Sequence, residues 1–175
     1  MIYFVRHGET DYNKEGRPQG WLDIPLNKTG EMQAEQARKN LSGVKIDRIY
    51  CSPLKRALKT AEIINEKYNL KIQTDDRIKE IFGGSMQGKT KKEIPENELK
   101  AYYKTPKNFG GEDVSDFCAR VADFMQEIEQ INENILIVSH AGVSRAIYKY
   151  INNLDGFDFE FKAPKNSEII VIKDK

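Results

Sequence analysis

Short apolar runs rich in β-branched and aromatic residues recur along the chain at Ile2–Val5, Arg48–Cys51, Lys71–Asp75 and Asn134–Ser139. Runs of this length and composition predict buried strands. Two further runs, Phe157–Phe161 and Glu168–Lys173, are expected to close the sheet. Between them the apolar spacing lengthens to the helical period. Met32, Ala34, Ala37 and Leu41 predict a helix over Thr29–Leu41, with Thr29 as N-cap and Gly43 as stop. Ser52-Pro53 reads as a cap followed by a first helical residue, opening a helix that runs through Ile63, Ile64 and Tyr68. Pro95 opens another through Leu99, Tyr102 and Tyr103. Asp113 caps the clearest one, where Val114, Phe117, Cys118, Val121, Phe124, Met125, Ile128 and Ile131 form an amphipathic stripe. A last helix starts at Ala141. Asp11–Leu26 has no periodicity and reads as a long loop, a feature often functional in compact domains. The fold class expected is α/β.

Composition narrows the function. The 175 residues hold 28 Lys and Arg against 27 Asp and Glu, so the net charge of +1 gives no basis for a nucleic-acid or membrane-surface partner. Any anion site must therefore be a local cluster. No apolar run is long enough to span a bilayer, and no secretory leader is visible, so a cytoplasmic protein of one domain, 1–175, is expected. Cys51 and Cys118 stand alone in apolar contexts and read as core residues. No nucleotide loop or zinc spacing occurs, so no cofactor and no metal are expected.

The chemistry-bearing residues gather where strands end. The chain has two histidines, and each follows a strand run and precedes a glycine: Arg6-His7-Gly8 and Ser139-His140-Ala141-Gly142. Open α/β sheets place their sites just past the carboxyl ends of strands. An imidazole beside a guanidinium suggests a nucleophile next to an anion-binding fork. In the long loop, Asn13, Arg17, Gln19 and the Gly20 backbone are candidate donors to a phosphate or substrate. Arg56 falls in the first turn of its helix, where a cation opposes the dipole unless an anion also binds. Glu80 sits in a partly apolar setting before a glycine-rich turn, as a proton donor would.

Arg6-His7-Gly8-Glu9-Thr10 closely resembles the signature of the histidine phosphatases, the superfamily that includes the phosphoglycerate mutases. Further stretches resemble family signatures in matching order: Arg17–Leu26 with Gly30, Ser52–Ala57 with Thr60-Ala61, Ile78-Lys79-Glu80, Gly110-Gly111-Glu112-Asp113 and Val138–Gly142. The resemblance implies a three-layer α/β sandwich with a mostly parallel central sheet and helices on both faces. It implies that His7 is the phosphorylated nucleophile and that Arg6, Arg56 and His140 neutralise the phosphoryl oxygens. Asn13, Gln19, Gly20 and Ala141 would add phosphate contacts, and Glu80 would act as acid and then base. The substrate implied is a small phosphorylated metabolite, and the segment 89–112, rich in lysine up to Lys107, would cover the site. Ile78 replaces the usual leucine, Asp113 a serine and Ala141 a glycine. Met86-Gln87-Gly88 departs from the aromatic-Glu-Gly of many phosphatases, and a Gln there also occurs in mutases. The short covering segment favours a phosphatase. The expected activity is metal-independent hydrolysis of a phosphate monoester through a phosphohistidine. The alternatives are a phosphoglycerate mutase and a non-catalytic domain binding phosphorylated ligands, which would have no use for an acid.

Overall fold

The structure is a computed structural model and describes residues 1–90, 92–157 and 161–173. Strand β1 spans Ile2–Arg6, β2 Arg48–Cys51, β3 Ile72–Thr74, β4 Ile135–Ser139 and β5 Ile169–Lys173. They form one sheet in the order β3-β2-β4-β1-β5, in which β5 alone runs antiparallel, against β1. Helices α1 (Asp11–Glu15), α2 (Lys28–Asn40), α3 (Lys55–Asn65), α4 (Glu96–Lys104), α5 (Val114–Glu129) and α6 (Ala141–Ile151) fill the connections.

Strand alternation divides the core in two. Phe4, Ile135 and Ile137 pack on one face with Phe117, Val121, Phe124 and Ile128 of α5 and Val143 and Ile147 of α6. Val5, Leu136 and Val138 point the other way, onto Ala37 and Leu41 at α2 and Ala57, Ala61 and Ile64 of α3. Each Val, Leu, Ile or Phe among them contributes about 1.5–3 kcal/mol on burial. β4 is buried on both faces, which is why its sequence is a continuous apolar run. The expected three layers are present.

The parallel pairing of β1 and β4 positions the site. Arg6 lies opposite Ser139, and the His7 N–H donates to the Ser139 carbonyl at 2.9 Å. The residues that follow, His7 and His140, therefore leave the sheet side by side.

Three local expectations are corrected. Ser52-Pro53 does not begin a helix: α3 starts at Lys55 with Leu54 at its N-cap. The Ser52 hydroxyl is 2.7 Å from His140 Nε2, and Asp23 Oδ1 accepts the Lys55 N–H at 2.7 Å in its place. Helix α2 is capped by Asn27, whose side chain accepts the Gly30 N–H, so Thr29 lies inside the first turn. The stretch Asp11–Leu26 is not all loop, because Thr10 and Asn13 form a capping box that starts α1. Five residues are too few to show a helical period. The strand expected at Phe157–Phe161 has its centre, 158–160, outside the described residues.

Candidate active site

His7, only 3 % exposed, stands at the end of β1. Its Nδ1–H donates to the Gly8 carbonyl at 2.7 Å. A carbonyl can only accept, so the proton belongs on Nδ1 and the Nε2 lone pair is free. Gly8 makes this turn possible: a Cβ there would lie 2.4 Å from the Gly30 carbonyl oxygen at the start of α2. His140, fully buried, has its ring centroid 5.2 Å from that of His7, and its Nδ1 has no partner. Burial, then the Arg56 charge, push both imidazoles well below their ordinary pKa, so both are neutral at neutral pH.

Two guanidiniums flank them. Arg56 is 1 % exposed and donates to the carbonyls of Leu22 and Gly20, both at 2.8 Å. Arg6 donates to the Pro164 carbonyl at 3.0 Å. Neither makes an ion pair among the described residues, and both Nε atoms are buried without a partner. Burial lowers the Arg56 pKa to about 10, which still leaves it charged. A buried cation without a counterion costs several kcal/mol. An anion bound between the two would recover that cost.

Glu80 reaches the same place from a different element. Its Oε1 accepts the Ile81 N–H at 3.0 Å and its Oε2 the Gly142 N–H at 3.2 Å. A Cβ at Gly142 would lie 2.1 Å from Oε1, so the carboxylate rests where a side chain would otherwise be. The backbone behind it is clamped. Arg120 of α5 donates to the carbonyls of Arg77, Lys79 and Glu80 and pairs with both oxygens of Glu112. Ser139 Oγ donates to the Ile78 carbonyl at 2.6 Å, and Trp21 Nε1 to the Glu80 carbonyl at 2.7 Å.

The loop after α1 supplies the remaining wall. Asn13 Oδ1 accepts the Thr10 N–H at 3.2 Å, and Gln19 Oε1 receives the Thr10 hydroxyl at 3.0 Å, so both amide oxygens are engaged. That leaves the two amide nitrogens as the groups to donate to an anion. Gly20 has φ +49° and packs where any Cβ would overlap the Gln87 side chain. The Gln87 Oε1 accepts the N–H groups of Trp21 and Gly83, tying this loop to the Glu80 segment. Arg6, His7, Asn13, Gln19, Gly20, Arg56, Glu80 and Ala141 all line one cavity of about 760 Å³. His140 lies buried beside His7, outside the lining.

The sequence model of the histidine phosphatase superfamily, branch 1, matches residues 2–173. The chain belongs to that superfamily. It is 35 % identical over 162 residues to phosphoserine phosphatase 1 of Hydrogenobacter thermophilus, covering 88 % of this chain and 77 % of that protein. It is 31 % identical over 172 residues to the 2,3-bisphosphoglycerate-dependent phosphoglycerate mutase of Cytophaga hutchinsonii, covering 90 % and 80 %. Among solved structures, mycobacterial glucosyl-3-phosphoglycerate phosphatase in complex with VO3 superposes with a TM-score of 0.87 at 27 % identity, covering 96 % of this chain and 90 % of that one.

Within this histidine phosphatase scaffold the covering segment and Arg17 each bring less free charge to the pocket than their sequence suggests. The lysines of the covering segment are not at the pocket: Lys100 pairs with Glu96 and Lys107 with Asp113, while Tyr102, Tyr103 and Pro106 meet the cavity. Lys91 lies outside the described residues. Helix α4 buries Tyr102 and leaves Tyr103 half exposed at the cavity, with its ammonium groups in water. Arg17 also lines the cavity, but it is engaged by Glu15, by the Gly88 carbonyl and by the Tyr12 ring. The sequence assigns no part in the site to Arg120, Glu112 or Ser139, and gives Ser52 only the role of a helix cap. Arg120 stands among the polar positions of an amphipathic helix, and nothing local separates it from a solvated side chain.

Proposed function

We propose that this chain is a phosphatase that hydrolyses a small phosphate monoester through a phosphohistidine on His7 Nε2. The observation that carries the reading is the His7 tautomer: the Gly8 carbonyl holds the proton on Nδ1, leaving Nε2 free beside the buried Arg56 and the partly buried Arg6, neither of which has a carboxylate partner among the described residues. Nε2 attacks phosphorus in line with the leaving oxygen, and the bond between them breaks as the P–N bond forms. Arg6 and Arg56 face the equatorial oxygens, where charge develops, and His140, beside His7 with its Nδ1 unpartnered, assists them. Asn13, Gln19, Gly20 and Ala141 complete the phosphate seat. Glu80 gives its proton to the leaving oxygen, then takes one from the water that cleaves the P–N bond. Positive charge comes from side chains, so the scheme needs no metal.

The substrate is a small phosphorylated metabolite, and 89–112 acts as the cover through Tyr102, Tyr103 and Pro106. The unit acts as one domain in the cytoplasm, a reading in line with the two free cysteines and with the lack, among the described residues, of a helix long and apolar enough to cross a membrane. A mutase reading draws on the relationship to the Cytophaga enzyme. Gln87, the residue that suggested it, has its amide oxygen committed to backbone N–H groups.

The test is a panel of phosphate monoesters assayed with chelator present for both free phosphate and isomerised product. Wild type should release phosphate, and His7→Ala should lose about 10³-fold or more of kcat/KM. Isomerisation without release would replace the phosphatase reading by the mutase. Full activity in His7→Ala would overturn the phosphohistidine.

A further inference from the structure

The cavity holds more positive charge than one phosphoryl group needs. Among the described residues, five cationic side chains line it, Arg6, Arg17, Arg56, Arg145 and Lys162, against the one carboxylate of Glu80. Arg6 and Arg56 face the transferred phosphoryl group, and Arg17 already has a carboxylate in Glu15. Arg145 and Lys162 are left over. No described carboxylate lies within ion-pair distance of either.

Arg145 is held in place rather than free to drift. It lies one turn beyond Ala141 on the same face of α6, about 6 Å along the axis. Its Nε donates to the Phe161 carbonyl at 3.2 Å, and the Phe161 ring stacks on Tyr148 of α6 at 4.2 Å and 17°. That contact uses one edge of the guanidinium and leaves the terminal N–H groups for a ligand. Its charge is felt by Arg6 and by Tyr103, both of which line the same cavity. The partly buried rings of Phe157 and Phe161 line the cavity with it and reduce the water around any ion pair made there.

We propose that Arg145 is a specificity-determining residue that seats a second anionic group, a carboxylate or a further phosphate, on the leaving group, with Lys162 assisting. The inference rests on the phosphatase reading above and adds a substrate class to it: short esters whose second anion lies about one helical turn from the phosphoryl group.

The experiment compares kcat/KM for matched esters. One pair is 3-phosphoglycerate against glycerol 3-phosphate, and the other is fructose 1,6-bisphosphate against fructose 6-phosphate. A hydrogen-bonded charge pair predicts a wild-type preference of about 10- to 100-fold for the member with the second anion, expressed mainly in KM. The first pair reports a carboxylate and the second a phosphate. Arg145→Gln should collapse the preference towards one, and Arg145→Lys should restore several-fold of it. Arg145→Met, which keeps an unbranched stem against the aromatic wall, is the second variant should Arg145→Gln fail to fold. A wild-type ratio near one on both pairs, with turnover lost in His7→Ala, overturns this inference and leaves the phosphatase reading standing. A preference retained in folded Arg145→Gln and Arg145→Met does the same. No turnover of any ester, or turnover that survives His7→Ala, brings down both.

Discussion

His7 Nδ1 donates to an oxygen that cannot donate back, so the backbone itself keeps Nε2 free for attack. Burial and the neighbouring Arg56 keep the ring neutral well below its ordinary pKa. The acid limb of kcat/KM should therefore lie well below pH 6.5, and a limb near 6.5 would show that the ring titrates as if exposed. At Gly142 two effects oppose each other. Alanine improves helix propensity by up to about 1 kcal/mol, but its Cβ would sit 2.1 Å from Glu80 Oε1. The overlap wins, because the carboxylate must move. Gly142→Ala should lower kcat by about 10- to 100-fold, with a smaller change in KM, as steady-state kinetics on any turned-over ester would show. Most of the residues at the pocket were legible in the sequence because each stands within one or two positions of a strand or helix end. Ser52 was misread there: a Ser-Pro pair ahead of a helix looks like a cap, yet its hydroxyl goes to a histidine 88 positions away.

At the scale of elements, Glu80, the proposed acid, is mounted on a segment with little regular structure of its own. Asp76–Ile78 and Gly84–Met86 are single 3₁₀ turns, and Glu80 lies between them. Its rigidity comes from α5, through Arg120 and Glu112. Arg120→Ala removes donors from three carbonyls and strands the Glu112 carboxylate, itself only 16 % exposed. It should cost about 2–4 kcal/mol in denaturant unfolding. It should also reduce kcat while KM changes little, and equal losses in both would show that Arg120 acts only on global stability. This support was not readable beforehand, because it joins an unremarkable helix position to backbone carbonyls some 40 residues earlier. The helices and strands themselves were readable wherever the apolar pattern was long. They failed where caps came from distant side chains, as Asp23 does for α3.

For the whole molecule, the two buried imidazoles couple stability to pH. Both have folded-state pKa values depressed below the unfolded value near 6.5. Below pH 6.5 the unfolded chain binds protons that the folded one refuses, so stability is full above that pH and falls as pH drops through it. The slope approaches about 1.4 kcal/mol per pH unit for each histidine. Urea midpoints should decline between pH 6.5 and pH 5, before the carboxylates that titrate below about pH 4 contribute. His140→Asn should roughly halve that slope, and an unchanged slope would mean that other groups set it.

Strand β1 precedes the other described strands in the chain, yet both its neighbours come late. It lies between β4 and β5. Pro164 accepts from Arg6, Asn166 donates to the His7 carbonyl and the Ser167 N–H to that of Arg6. During synthesis the nucleophile therefore leaves the ribosome roughly 160 residues before the groups that fix it. The nascent chain carries His7 as an ordinary exposed histidine almost until the last strand emerges. A chain broken off before residue 164 lacks every one of these three contacts to Arg6 and His7.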